Sequence, residues 1–177
     1  MQTIERVLST CDPDEAISHL YHAVYMVAET IVMPIAQKRD PDRTGGWFAF
    51  WRRDPAHTVV VVPVIGFAVG YVLPDRFVRY QYFADEKAAR LAQHPEHVSS
   101  WQSRDVSPPN KMDHKYGGAI RVSPELIFSF SGFSEHEDEM LCAIAAWHIN
   151  LLNVTELGQI AATSGNVPLR NRLGSPA

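Results

Sequence analysis

The chain has 177 residues, 46% of them hydrophobic, which is enough for one full core and short for two domains. Its formal net charge of −4 sets up no field that would gather a polyanion, so nucleic acid is an unfavoured partner. The two cysteines, Cys11 and Cys142, make no disulfide framework and suit a reducing compartment, while the acidic N-terminus and the lack of a long apolar run predict a cytoplasmic protein with no membrane span.

Taken in order, Asp12-Pro13-Asp14-Glu15 is a helix start with Asp12 as cap and Pro13 at the first helical position. Ile17, Leu20, Tyr21, Val24, Val27, Ile31 and Ile35 recur at three- and four-residue steps, predicting an apolar stripe that runs until Pro34 kinks or ends the helix between Met33 and Lys38. Turn residues follow, then an aromatic strand over 47–51 and a turn over 52–57. The β-branched run 58–65 predicts a strand in which Pro63 marks an edge or a bulge, and Gly66 permits a reversal. Beyond it, 67–73 and 76–83 read as further strand, the second alternating or merging into a helix over 84–93. Residues 94–114, rich in Ser, Pro, Asp and His, predict an ordered surface loop long enough to be functional, pinned by Trp101.

The stretch 115–150 is the most legible. Strands over 119–122 and 126–131 are joined by Ser123-Pro124-Glu125, with Ile127, Ser129 and Ser131 on one face and Leu126, Phe128 and Phe130 on the other. Ser134 with Glu137 three residues on predicts a capping box and a helix from Glu135, whose stripe is Leu141, Ile144, Ala145, His148, Leu151 and Leu152. A short helix over 155–163 and a loose tail over 164–177 complete a single domain spanning 1–163.

Several of these pieces resemble the GlcG and HbpS-like family of haem-degrading or haem-binding domains: Asp85-Glu86-Lys87-Ala88-Ala89, Gly117-Gly118-Ala119-Ile120, Phe130-Ser131-Gly132, and Glu135 with Asp138-Glu139. The resemblance covers 84–146. It implies a profilin-like α+β fold, an antiparallel sheet flanked by helices, in a homo-oligomer that binds a small molecule, haem or a corrinoid in some relatives. Through it Lys87, Gly117, Gly118, Ser131, Glu135 and Asp138 become binding-site residues.

The residues themselves add His94, His97, His114 and Trp101, which would wall a pocket between the long loop and the hairpin. Imidazole ligates haem iron and zinc, and His94 with His97 forms the metal-ligand expectation, although Pro95 is expected to hold that pair extended. His19 and His22 read as the polar flank of a helix, and His148 as a core histidine. Acidic residues 135–139 are what a helix dipole favours in a first turn. No nucleophile elbow or phosphate loop is present. Three functions follow: a small-molecule binding or sensing module, a metal-dependent hydrolase or lyase, and a non-catalytic oligomeric assembly protein joined through the 47–51 strand and the edge near Pro63.

Overall fold

A computed structural model describes residues 13–53 and 61–174. The Asp12 cap, Cys11, the turn beyond Arg53 and the first residues of the 58–65 run lie outside the described residues.

Helix α1 (Pro13–Val27) passes through a π-helical stretch (Ala28–Val32) into α2 (Met33–Gln37). The π-turn has a local cause. Pro34 has no N–H and its ring crowds the carbonyl four residues back, so the chain widens by one residue, Met33 N–H reaching Ala28 O, instead of breaking. The apolar stripe buries Leu20, Val24 and Val27 and partly buries Ile31, whereas Tyr21 and Ile35 at its margin stay exposed.

Strands β1 (Gly45–Arg53), β2 (Val61–Gly70), β3 (Ala119–Ser123) and β4 (Leu126–Ser131) form one antiparallel sheet in the order β2-β1-β4-β3. Pro63 sits as its chemistry requires, on an outer strand and next to a bulge, where the register slips between Phe50–Ile65 and Trp51–Pro63. Gly66 makes no reversal. It lies inside β2 against the Trp47 ring, where a Cβ would come within 2.8 Å of the indole. The strand 47–51 is interior to the sheet, paired on both sides, so it offers no edge for assembly; the exposed edge is β2, with Val62 and Val64 in solvent.

Residues 76–83 are not strand. Pro74 at the first helical position and Asp75 in the first turn open α3 (Pro74–Gln93), one helix of 20 residues across the whole 76–93 stretch. Successive β4 side chains sort to opposite faces as expected. Leu126, Phe128 and Phe130 join the main core with α1, α4 (Glu135–His148) and β1, while Ile127 packs on Ala88 and Leu91 of α3 and Ser129 Oγ donates to Ala84 O at 2.7 Å. The sheet is thus flanked by helices on both faces, an α+β architecture.

Helix α4 starts at Glu135 with the Ser134–Glu137 capping box. It is buried all round from Glu137 to Ala146 instead of along one stripe, because α5 (Val154–Ser164) and α6 (Val167–Leu173) cover its outer face. His148 lies past that cover and is exposed beside Trp147, which corrects its core assignment. The expected loose tail is also corrected: α6 is ordered, with Leu169 fully buried. Among the described residues no helix is long and apolar enough to cross a membrane.

Candidate functional site

Where β4 ends and α4 begins, α3 reaches past the end of the sheet. Lys87 Nζ donates to Asp138 Oδ2 and to Phe130 O, both at 2.8 Å, and Phe133 N–H donates to Asp138 Oδ1 at 2.9 Å. Both charged side chains are almost wholly buried. Gly118 makes this possible: at φ +116° a side chain is strained, and a Cβ would stand 2.7 Å from Asp138 Cβ and 2.9 Å from Lys87 Nζ. Burial pushes the Asp138 carboxyl up, and the Lys87 ammonium acts against that shift.

The pair forms part of the wall of a cavity of about 260 Å³. Helix α3 contributes Arg79, Phe83 and Lys87, spaced by four and therefore on one face, together with Tyr80. Ser131 to Glu135 and Asp138 form the opposite wall, and Tyr116 and Arg43 close it. The Tyr116 ring meets Phe83 edge-on at 5.0 Å, and Arg79 lies over Phe83 at 5.6 Å. Arg43 donates from Nη1 to Gly132 O at 2.8 Å and pairs through Nε with Asp40 at 3.0 Å.

Each carboxylate here has its own cation. Arg104 grips Glu135 with Nε at 2.8 Å and Nη2 at 3.0 Å, and Gly117 N–H donates to it at 2.7 Å. Burial alone would raise Glu135, but Arg104 and Gly117 hold its carboxyl below the usual range. Arg79, by contrast, has no carboxylate partner among the described residues.

Of the residues singled out from sequence, Lys87, Ser131, Glu135 and Asp138 line this cavity, Gly118 abuts the ion pair, and Gly117 anchors Glu135. The expected pocket between the long loop and the hairpin is displaced toward α3 and the start of α4. Trp101 is not in the wall: it stacks on His136 at 4.3 Å and under Arg104 at 5.0 Å. His114 uses both ring nitrogens to tie the loop, Nδ1 with Tyr116 OH at 3.0 Å and Nε2 with Pro108 O at 2.8 Å. His94 and His97 lie beyond the C-terminal end of α3, about 10 Å along the helix from Lys87 at 1.5 Å per residue. There Pro95 occupies the second position of a turn closed by His97 N–H to His94 O at 3.0 Å, so the pair is not extended; the rings stack with centroids 4.7 Å apart.

Sequence reasoning missed Arg43, Arg79, Tyr80 and Phe83. The four-residue spacing of 79, 83 and 87 was the available signal, hidden by reading 76–83 as strand. His19 and His22 are exposed on α1, as a polar flank should be.

On its other side α4 buries Glu139, which has no Lys or Arg partner among the described residues. The hydroxyls of Ser99 and Ser164 donate to it, as does Asn166 Nδ2 at 2.9 Å. Burial pushes this carboxyl up, the hydrogen bonds opposing. Its partners come from the long loop and the α5–α6 junction, so the site ties both to α4.

No protein-family model, curated protein or solved structure matches the chain.

Proposed function

We propose that this protein is a small-molecule binding or sensing module whose ligand is a small anion, a carboxylate or phosphate with a short apolar part, held in the cavity between α3 and α4. The observation that carries the reading is the charge balance of the wall. Asp138, Glu135 and Asp40 are each matched by Lys87, Arg104 and Arg43, which leaves the Arg79 guanidinium as the unmatched charge. Lys87 has three N–H donors and spends two on Asp138 and Phe130, leaving one for a ligand oxygen. Phe83 and Tyr116 supply the apolar contact.

A tetrapyrrole does not fit these residues. The cavity of about 260 Å³ lies below the roughly 300–1,000 Å³ of sites that take drug-sized ligands, and no histidine lines it. The same placement of His94 and His97 disfavours a metal-dependent hydrolase working in this cavity. Assembly as a homo-oligomer would use the outer edge of β2, where Val62 and Val64 are exposed, and light scattering of the purified chain tests it.

The deciding experiment is calorimetric titration with phosphate, glycerol phosphate, pyruvate and succinate, against glycerol as a neutral control, on wild type and Arg79→Gln. Saturable binding of an anion, weakened about tenfold or more by the loss of one charge-assisted contact, supports the reading. Glycerol binding as well as the anions, or an indifferent Arg79→Gln, overturns it.

A further inference from the structure

The turn after α3 gathers three metal-ligating side chains that the cavity does not use. His94, Glu96 and His97 each offer one ligand atom, all within 4.8 Å of one another. His94 Nδ1 and His97 Nε2 both stand 3.4 Å from the same carboxylate oxygen, Glu96 Oε1. A tetrahedral ion with zinc–nitrogen and zinc–oxygen bonds of about 2.0–2.1 Å has ligand–ligand edges of about 3.4 Å. The nitrogen–oxygen spacings are therefore those of a zinc coordination shell.

From this spacing we propose that His94, Glu96 and His97 form a zinc-binding site with three protein ligands and a fourth position open to solvent, separate from the α3–α4 cavity. The backbone that presents them is fixed: Pro95 sets the turn, and Arg121 donates to His97 O at 3.0 Å and His94 O at 3.1 Å. A cation at the C-terminal end of a 20-residue helix also meets the negative end of its dipole.

Two features set the affinity. The rings are stacked, 19° apart, and a metal must lie in the plane of each imidazole, so the more exposed His94 has to swing on binding. The Nδ1 of His97 is buried with no hydrogen-bond partner, so the ligated imidazole lacks the acceptor that normally orients it. Both features weaken the site relative to one whose imidazoles are already oriented. Binding would clip the start of the long loop to the end of α3, just before Ser99, whose bridge to Ile120 and bond to Glu139 anchor the rest.

The test is zinc competition against a chromogenic chelator on the full chain, with cobalt(II) absorption to read coordination geometry, for wild type, Glu96→Gln, His94→Gln and Arg79→Gln. One ion per chain is expected, with tetrahedral cobalt bands, weakened at least about 10–100-fold by either ligand substitution and unchanged by Arg79→Gln. Since Glu96 is exposed and His94 half-exposed, and neither belongs to the core, neither variant threatens the fold. Zinc binding weaker than about 100 µM, or micromolar binding that survives both ligand substitutions, overturns the proposal. Failure here leaves the anion titration untouched, and the reverse holds.

Discussion

Replacing Lys87 with Met tests whether the α3–α4 crossing is held by a buried ion pair. The substitution keeps the aliphatic stem and removes the ammonium, leaving Asp138 Oδ2 and Phe130 O without their donor in a site where both charged side chains are 2–3% exposed. Breaking such a pair from one side costs about 3–5 kcal/mol. For a chain of this length that corresponds to a melting temperature lower by about 6–20 °C. Adding Asp138→Asn removes the stranded charge while its amide oxygen still accepts from Phe133 N–H. The groups then to be met are neutral, Phe130 O and the new Asn Nδ2–H donors, and no buried charge is stranded, so the double variant should lose less than Lys87→Met alone. The sign with pH follows from burial, which raises Asp138: the folded state holds that proton more tightly than the unfolded chain, so the protonated form is favoured at low pH and the advantage is lost as pH rises through the raised value. The Lys87→Met penalty should accordingly shrink on acidification. Urea unfolding at neutral and mildly acid pH reads all three quantities. A single variant within about 1 kcal/mol of wild type, or a double variant equal to the sum of the two singles, would refute the pairing.

Gly118→Ala should cost at least about 1–3 kcal/mol from backbone strain alone and also displace Lys87 from Asp138, read as a lowered urea midpoint together with lost anion binding. Leu169→Ala, in a helix the sequence presented as tail, should cost about 2–5 kcal/mol; a change within error would mean α6 is not part of the core. Because burial raises Glu139, its contribution is full at acid pH and lost as pH rises through the raised value, so Glu139→Gln should gain stability relative to wild type as pH rises above the ordinary glutamate range. Arg104→Gln releases Glu135 from its depressed state; the stability this carboxylate gives above its unfolded value is then lost at a higher pH on acid titration, with about 1 kcal/mol gone at neutral pH after screening.

What could be read from sequence was local. The Ser134–Glu137 box, the β3–β4 hairpin, the meaning of Pro63 and the helix end between Met33 and Lys38 all rest on a few adjacent residues whose chemistry narrows the geometry. The failures lie where tertiary context decides. Residues 76–83 are aromatic enough to pass as strand, yet Pro74 and Asp75 open a helix through them in which only Phe83 is buried against the sheet side. With that error Arg79 and Phe83 fell out of phase with Lys87, and the cavity wall could not be assembled. The stripe assigned to α4 held for Leu141, Ile144 and Ala145, but His148 is exposed, Leu151 and Leu152 lie beyond the helix end, and α5 and α6 bury the rest of the helix, which no periodicity announces. The histidines misled for a different reason: imidazole is as apt to tie a loop as to bind a ligand, and His114 spends both nitrogens doing so.

The acidic run at the start of α4 shows how a local rule can be true and still miss the organisation. Carboxylates do suit a first helical turn. Yet the four reach different partners across the chain: Glu135 takes Arg104 and Gly117, Glu137 takes Arg39 beyond α2, Asp138 takes Lys87 of α3, and Glu139 takes Ser99, Ser164 and Asn166. Four carboxylates within five residues therefore fix α2, α3, the long loop and the C-terminal helices around one helix end. A helix buried this completely cannot leave those charges unpaired, so the partners had to come from elsewhere in the chain. The cavity lies where these tethers hold α3 and Tyr116 off the helix end, and this is why the unmatched charge at its wall, Arg79, belongs to the element whose own tether, Lys87, lies two turns further along.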